Sequence, residues 1–171
     1  MTITLQSVAL RSAIVVSAML IVLVAAATED ASPSAGSWTI ALVALACAVG
    51  AAVQPDGPAA GVAIALLLVN WLMVVDDELS LLTPVGAVLV LVLHTAASLE
   101  SVTPAGIHLA PSTYRRWAIR WAIVAAAAIG TWLAALAAAN IDHTSNIVLV
   151  LGIGLLVGGG VWLMRARVLS A

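Results

Sequence analysis

The chain has 171 residues, of which 64% are hydrophobic and 8% charged, and its mean hydropathy is +1.20. This composition excludes an ordinary water-soluble globule, because too few polar side chains remain to cover its surface. The formal net charge of −2 excludes little, since the position of charges matters more than their sum in membrane proteins.

Apolar runs near the length of a bilayer-crossing helix recur along the whole chain. They predict an all-α, polytopic membrane protein that forms a single integral membrane domain over residues 1–171. The predicted spans number about six, and a polar connection at residues 100–116 follows the fourth. The six predicted spans cover residues 12–28, 38–53, 59–75, 82–99, 117–140 and 146–164.

The first run has two interpretations. The small residues Val24–Ala27 suit a signal-peptide cleavage site, but no basic side chain precedes Arg11. We therefore expect this run to be retained as the first span.

The second and third runs are separated by a strong turn signal, Gln54–Pro58. Each run is about 25 Å long as a helix, which is short for a span. The pattern favours a hairpin of two spans and leaves a re-entrant hairpin open.

Proline marks the start of the next two predicted helices. Thr83 and Pro84 suit the N-cap and the first helical position of the fourth span. Pro104 and Pro111 interrupt the connection at residues 100–116, so that Ser112 or Thr113 is expected to cap the fifth span.

Arginine distribution predicts the orientation. With the N-terminus in the cytoplasm, all six Arg residues fall on the cytoplasmic side, as the positive-inside rule requires. An even number of spans then places the C-terminus in the cytoplasm too, and we expect a bacterial cytoplasmic membrane. The residues that fall inside are Arg11, Arg115, Arg116, Arg120, Arg165 and Arg167, together with the acidic Asp56 and Glu100; those outside are Glu29, Asp30, Asp76, Asp77, Glu78 and Asp142.

The start of the fifth span is rich in Arg and aromatic residues. Aromatic and basic side chains together suit the headgroup level, where guanidinium groups bind lipid phosphates or acidic groups of a partner. The sequence favours anionic headgroups or another membrane subunit as the ligand, and does not favour a nucleic acid. The candidate residues are Tyr114, Arg115, Arg116, Trp117, Arg120 and Trp121.

His94 and Asn70 are the polar side chains inside spans that invite a functional interpretation. His94 is expected to share a helix face with Gly86, Val90, Ala97 and Ser98 and to make one interhelical hydrogen bond. A transport path through His94 and Asn70 is the competing interpretation.

The sequence predicts no enzyme, no resident cofactor and no metal site. It has no phosphate-binding loop and no nucleophile motif, and its acidic loops lack metal-ligand spacing. Cys47 is the single cysteine and is expected to be inert. Near the C-terminus, Gly154 and Gly158 form a small-xxx-small pattern for close helix packing, either within the chain or against a partner.

Residues 93–120, LHTAASLESVTPAGIHLAPSTYRRWAIR, resemble a region of small actinobacterial membrane proteins that are associated with gene clusters of MoxR-type ATPases. In that region an aliphatic helix with a His leads through a Pro-containing loop into an Arg/Trp-rich helix start. The resemblance implies a partner-dependent accessory role and no catalytic residue. We therefore expect an accessory or scaffold subunit of a larger membrane assembly, with a small transporter or channel as the alternative.

Overall fold

The computed structural model describes residues 5–28, 31–77, 79–102 and 111–139. Within these residues the regular structure is helical, and a single isolated β-bridge joins Ala31 to Val75. The predicted all-α class is therefore confirmed. The helices are α1 (Leu5–Ala26), α2 (Ala35–Val53), α3 (Ala59–Val74), α4 (Thr83–Val102) and α5 (Pro111–Ala139).

Four of these helices contain segments long and apolar enough to cross a membrane: α1, α2, α4 and residues Arg115–Ala137 of α5. The remaining helix, α3, is apolar but has only 16 residues. The predicted sixth span at residues 146–164, with Gly154 and Gly158, lies outside the described residues.

The chain divides into two compact units, Met1–Ala126 and Ala127–Ala171, and α5 runs from the first into the second. In the first unit α1 packs against α4 and α2, and α2 packs against α3. Alanine dominates the α2 side of the core, which lets helix backbones approach closely. The buried side chains include Ile14, Ala18 and Ile21 of α1, Ala41, Ala44 and Ala48 of α2, Ala63 and Leu67 of α3, and Leu93 and Ala96 of α4.

Helices that follow one another along the chain alternate in direction in the first unit, so α1 and α3 run the same way. Beyond the end of α1, the Ser32 amide donates to the carbonyl of Val74 at 3.0 Å, and the Ser32 hydroxyl donates to Asp76 Oδ2 at 3.0 Å. These bonds bring the ends of α1 and α3 together. At the opposite end, the start of α1 is joined to the end of α4 through Arg11 and Glu100.

The start of α2 is fixed by a reciprocal capping box. The Ser37 amide donates to Ser34 Oγ at 3.1 Å, and the Ser34 amide donates to Ser37 Oγ at 2.9 Å. Two amide groups that helix geometry leaves without partners are satisfied in this way. The segment between the first two helices thus ends in a defined helix start.

The starts of α4 and α5 differ from the prediction by a few residues. The Gly86 amide donates to the carbonyl of Leu82, so Leu82 is the N-cap of α4 and Thr83 is its first residue. The predicted capping role of Thr83 is wrong, because its hydroxyl has no hydrogen-bond partner. The helix α5 already begins at Pro111, which places Ser112 and Thr113 inside it.

Candidate functional site

The first three turns of α5 carry the Arg-rich and Trp-rich surface predicted from the sequence. Arg115, Arg116 and Arg120 are exposed, whereas Trp117 and Trp121 are half-buried. Because α5 is already helical here, Arg116 and Arg120 lie one turn apart on one face. The two Trp residues lie one turn apart on the adjacent face. We call these five residues the Arg/Trp surface; Tyr114 belongs to the same helix, but its side chain lies outside the described residues.

The Arg/Trp surface carries three positive charges, and no acidic residue lies close to it in the sequence. The sequence has no Asp or Glu anywhere between Glu100 and Asp142. The amino end of a helix adds a partial positive charge from its unpaired amide groups. Guanidinium groups and a helix amino end both attract anions, so this surface has the chemistry to bind phosphate or carboxylate groups.

Glu100 forms a cluster with Ser7 and Arg11 that the sequence reasoning missed. Arg11 donates from Nε to Glu100 Oε1 at 2.8 Å, and the Ser7 hydroxyl donates to the same oxygen at 2.6 Å. Glu100 is only 7% exposed, because α4 continues to Val102 and presents this side chain to α1. The sequence predicts Glu100 in the connection at residues 100–116, whereas the structure has it inside α4.

A signal for this pair was present in the sequence. Arg11 and Glu100 carry opposite charges, and the topology predicted from the distribution of Arg residues assigns both to the same side of the membrane. A carboxylate desolvated near the end of a span is favourable only beside a donor or a cation. The arrangement can hold two helix ends together, and it places no reactive group in an open cavity.

Asn70 is buried among α1, α2 and α3. The residue is 2% exposed, and its Oδ1 atom has no hydrogen-bond partner. It borders a cavity of about 10 Å³, enough for about one water molecule. The cavity is lined mainly by apolar side chains and lies beside the start of α2. Its lining residues are Val22, Ala26, Pro33, Ser37, Trp38, Ala41, Asn70 and Val74.

His94 lies on the outside of the first unit. Its side chain is exposed and makes no hydrogen bond with the described residues, whereas Gly86 and Ala97 are buried. The prediction that His94 shares the packed face of α4 and bonds to a neighbouring helix is therefore not fulfilled within this part of the chain. Asn70 and His94 are not brought together, since one is inside the bundle and the other outside it.

The loop between α3 and α4 and the end of α1 enclose a larger cleft of about 460 Å³. Thr28, Asp77 and Ser80 supply its polar lining, and leucines of the loop supply much of the rest. No group of three metal-binding side chains occurs among the residues that the structure describes. The other acidic residues predicted at this end, Glu29, Asp30, Glu78 and Asp142, lie outside the described residues.

Comparison of the chain with protein-family models, curated proteins and solved structures finds no match.

Proposed function

We propose that this protein is a bacterial integral membrane protein that acts as an accessory or scaffold subunit of a larger assembly. The observation that carries the proposal is the Arg/Trp surface at the start of α5, where three exposed guanidinium groups have no acidic side chain nearby in sequence. A partner with carboxylate groups would supply the missing counter-charge. The family resemblance of residues 93–120 supports the same partner-dependent role.

The proposed topology has six spans with both termini in the cytoplasm. The alternating directions of α1 to α4 support it, because Arg11 and Glu100 meet at one end while Asp76 lies at the other. The positive-inside rule assigns the Arg11 end to the cytoplasm. In this topology α2 and α3 form a full hairpin, and a sixth span at residues 146–164 returns the chain to the cytoplasmic side.

The Arg/Trp surface then lies at the cytoplasmic headgroup level. Its half-buried Trp residues, Trp117 and Trp121, suit the interface, and its exposed Arg residues reach lipid phosphates or an acidic partner. Both ligands bind through oxygen anions, but they differ in geometry. A protein carboxylate fixed in place profits from the bidentate fork of Arg, whereas mobile headgroups need only positive charge.

The alternative is a small transporter or channel with a polar path through Asn70 and His94. The positions of these residues support the scaffold instead. Asn70 is buried beside a cavity of one-water size, whereas His94 is on the outer surface of α4. A continuous path needs polar groups that line the same cavity.

Co-purification from mild detergent tests the proposal. The full chain would be compared with Arg115→Lys/Arg116→Lys and with a matched control, Arg165→Lys/Arg167→Lys. We expect a stable membrane partner to accompany the wild type and the control, and to be reduced or lost in the first variant. Membrane insertion should be the same in all three, because Lys keeps the charge.

Two results would contradict the proposal. If Arg115→Lys/Arg116→Lys retained every partner at wild-type yield, Arg-specific docking at the start of α5 would be wrong. If the wild type purified without a partner and moved a solute across liposome membranes, the transporter alternative would replace the scaffold.

A further inference from the structure

The cleft between the end of α1 and the loop before α4 has the composition of a small-molecule site. Its volume of about 460 Å³ lies within the roughly 300–1,000 Å³ that is usual for such sites. Three polar residues, Thr28, Asp77 and Ser80, interrupt a wall that is mostly apolar. The apolar residues of the wall are Ala27, Leu79, Leu81 and Leu82. A ligand that fits this cleft therefore has an apolar body and a small polar group.

Asp77 supplies the charge of the cleft. Its Oδ1 atom accepts from the Leu79 amide at 2.9 Å, which holds the carboxylate in the loop. The ion pair found among the described residues, Arg11 with Glu100, lies at the opposite end of the helices, so Asp77 has no cationic partner in this part of the chain. The sequence has no Lys or Arg at all over residues 12–114. The cleft thus presents a negative charge that attracts a cation.

The Thr28 hydroxyl makes the cleft suitable for a hydrogen-bond donor. It donates its own hydrogen to the carbonyl of Ala25 at 2.9 Å, so its oxygen can only accept a further hydrogen bond. An ammonium group carries three N–H donors and no acceptor, and it matches a carboxylate beside such a hydroxyl. A metal ion such as Ca²⁺ suits the cleft less, because it takes roughly six to eight oxygen ligands and leucines provide none.

We propose that this cleft binds a small amphipathic amine. Its ammonium group lies on Asp77 and Thr28, and its apolar group lies among the leucines of the loop. Alkylammonium groups occur on soluble amines and on the headgroups of ethanolamine lipids, and the recognition chemistry is the same for both. This binding site goes beyond the accessory role proposed above and does not depend on a protein partner.

Binding of hexylammonium to the full chain in phosphatidylcholine nanodiscs tests the charge. The wild type should bind this probe saturably after subtraction of binding to empty nanodiscs. Asp77→Asn should bind about 10-fold more weakly, because it loses the charge but keeps an oxygen for the Leu79 amide. Asp76→Asn is the matched control and should bind like the wild type, since Asp76 accepts from Ser32 and does not line the cleft.

Two further measurements test the apolar part of the site. Ala27 is an exposed residue of the wall, so Ala27→Phe should weaken binding by filling the cleft without changing its charge. The neutral probe 1-hexanol has the same carbon chain as hexylammonium, and it should bind the wild type more weakly because it cannot pair with Asp77.

Three results would overturn the proposal: no saturable binding of hexylammonium to the wild type, equal binding to Asp77→Asn, or equal binding of 1-hexanol. Nanodiscs that contain phosphatidylethanolamine distinguish the two sources of the amine. Weaker binding of hexylammonium in these nanodiscs would support a lipid headgroup in the cleft, whereas unchanged binding would support a soluble amine. None of these results alters the co-purification on which the accessory role depends.

Discussion

Arg11 at the start of α1 donates from Nε to Oε1 of Glu100 at the end of α4, across 2.8 Å. The two residues are 89 positions apart in sequence, and their side chains are 37% and 6% exposed. The pair therefore joins the first helix of the unit to its fourth, at the end that the Arg asymmetry assigns to the cytoplasm. Without this donor, the buried Glu100 carboxylate would keep the Ser7 hydroxyl as its side-chain donor among the described residues.

Removal of Arg11 should destabilise the protein. Arg11→Met leaves Glu100 buried without its cation, and we expect the free energy of unfolding in detergent to fall by about 1–2 kcal/mol. The expected loss of stability is modest because the Arg11 side chain is partly exposed to solvent, which screens the ion pair. Arg120→Met, at an exposed position of α5, is the matched control and should change the stability by less. An equal loss in both variants would mean that the pair contributes nothing specific.

Gly86 should not tolerate a larger residue. A Cβ atom at this position would lie 2.6 Å from Cζ3 of Trp71 and 2.7 Å from its Cη2. The Trp71 ring would have to shift, so Gly86→Ala is expected to cost about 1–3 kcal/mol. Gly61→Ala is the control, since no atom beyond the backbone of its own helix turn lies within 4 Å of the added carbon. It should gain up to about 1 kcal/mol from helix propensity. Similar thermal midpoints for the two variants would contradict the packing of Trp71 on Gly86.

Asn70 should be replaceable by an apolar residue of similar shape. Its buried Oδ1 has no hydrogen-bond partner, so Asn70→Leu is expected to raise the free energy of unfolding by about 1 kcal/mol. Leu67→Ala, one turn earlier and fully buried, calibrates the assay with an expected loss of about 2–5 kcal/mol. A loss of more than 1 kcal/mol in Asn70→Leu would show that Asn70 has a partner in the membrane, such as a bound water.

Much of the helical framework followed from hydrophobic runs and turn residues. The end of the second run at Val53 and the start of the third at Ala59 agree with α2 and α3, because Gln54–Pro58 cannot continue a helix. Helix ends without Pro, Gly or other turn-forming residues were harder to predict. α1 begins at Leu5 and α4 ends at Val102, and these extensions beyond the apolar runs bring Ser7 and Glu100 together.

The faces of the helices could not be read from the sequence. In α4 nearly every side chain is apolar or small, so hydrophobicity does not distinguish the packed face from the outer one. For this reason the sequence predicts His94 on the packed face of α4 and Glu100 in the connection after it. In the structure His94 is exposed and Glu100 is buried against α1. The Arg/Trp surface of α5 was easier to recognise, because charged and aromatic side chains at fixed spacing mark an interface without reference to neighbouring helices.

Thiol labelling on intact cells tests the central claim, a membrane-embedded chain whose Arg/Trp surface faces the cytoplasm. Single cysteines at Asp77, between α3 and α4, and at Ser112, in the first turn of α5, would be placed in a Cys47→Ala background. The account predicts that a membrane-impermeant reagent labels position 77 on intact cells and labels position 112 only after the membrane is opened. Labelling of position 112 on intact cells, or protection of position 77, would contradict it.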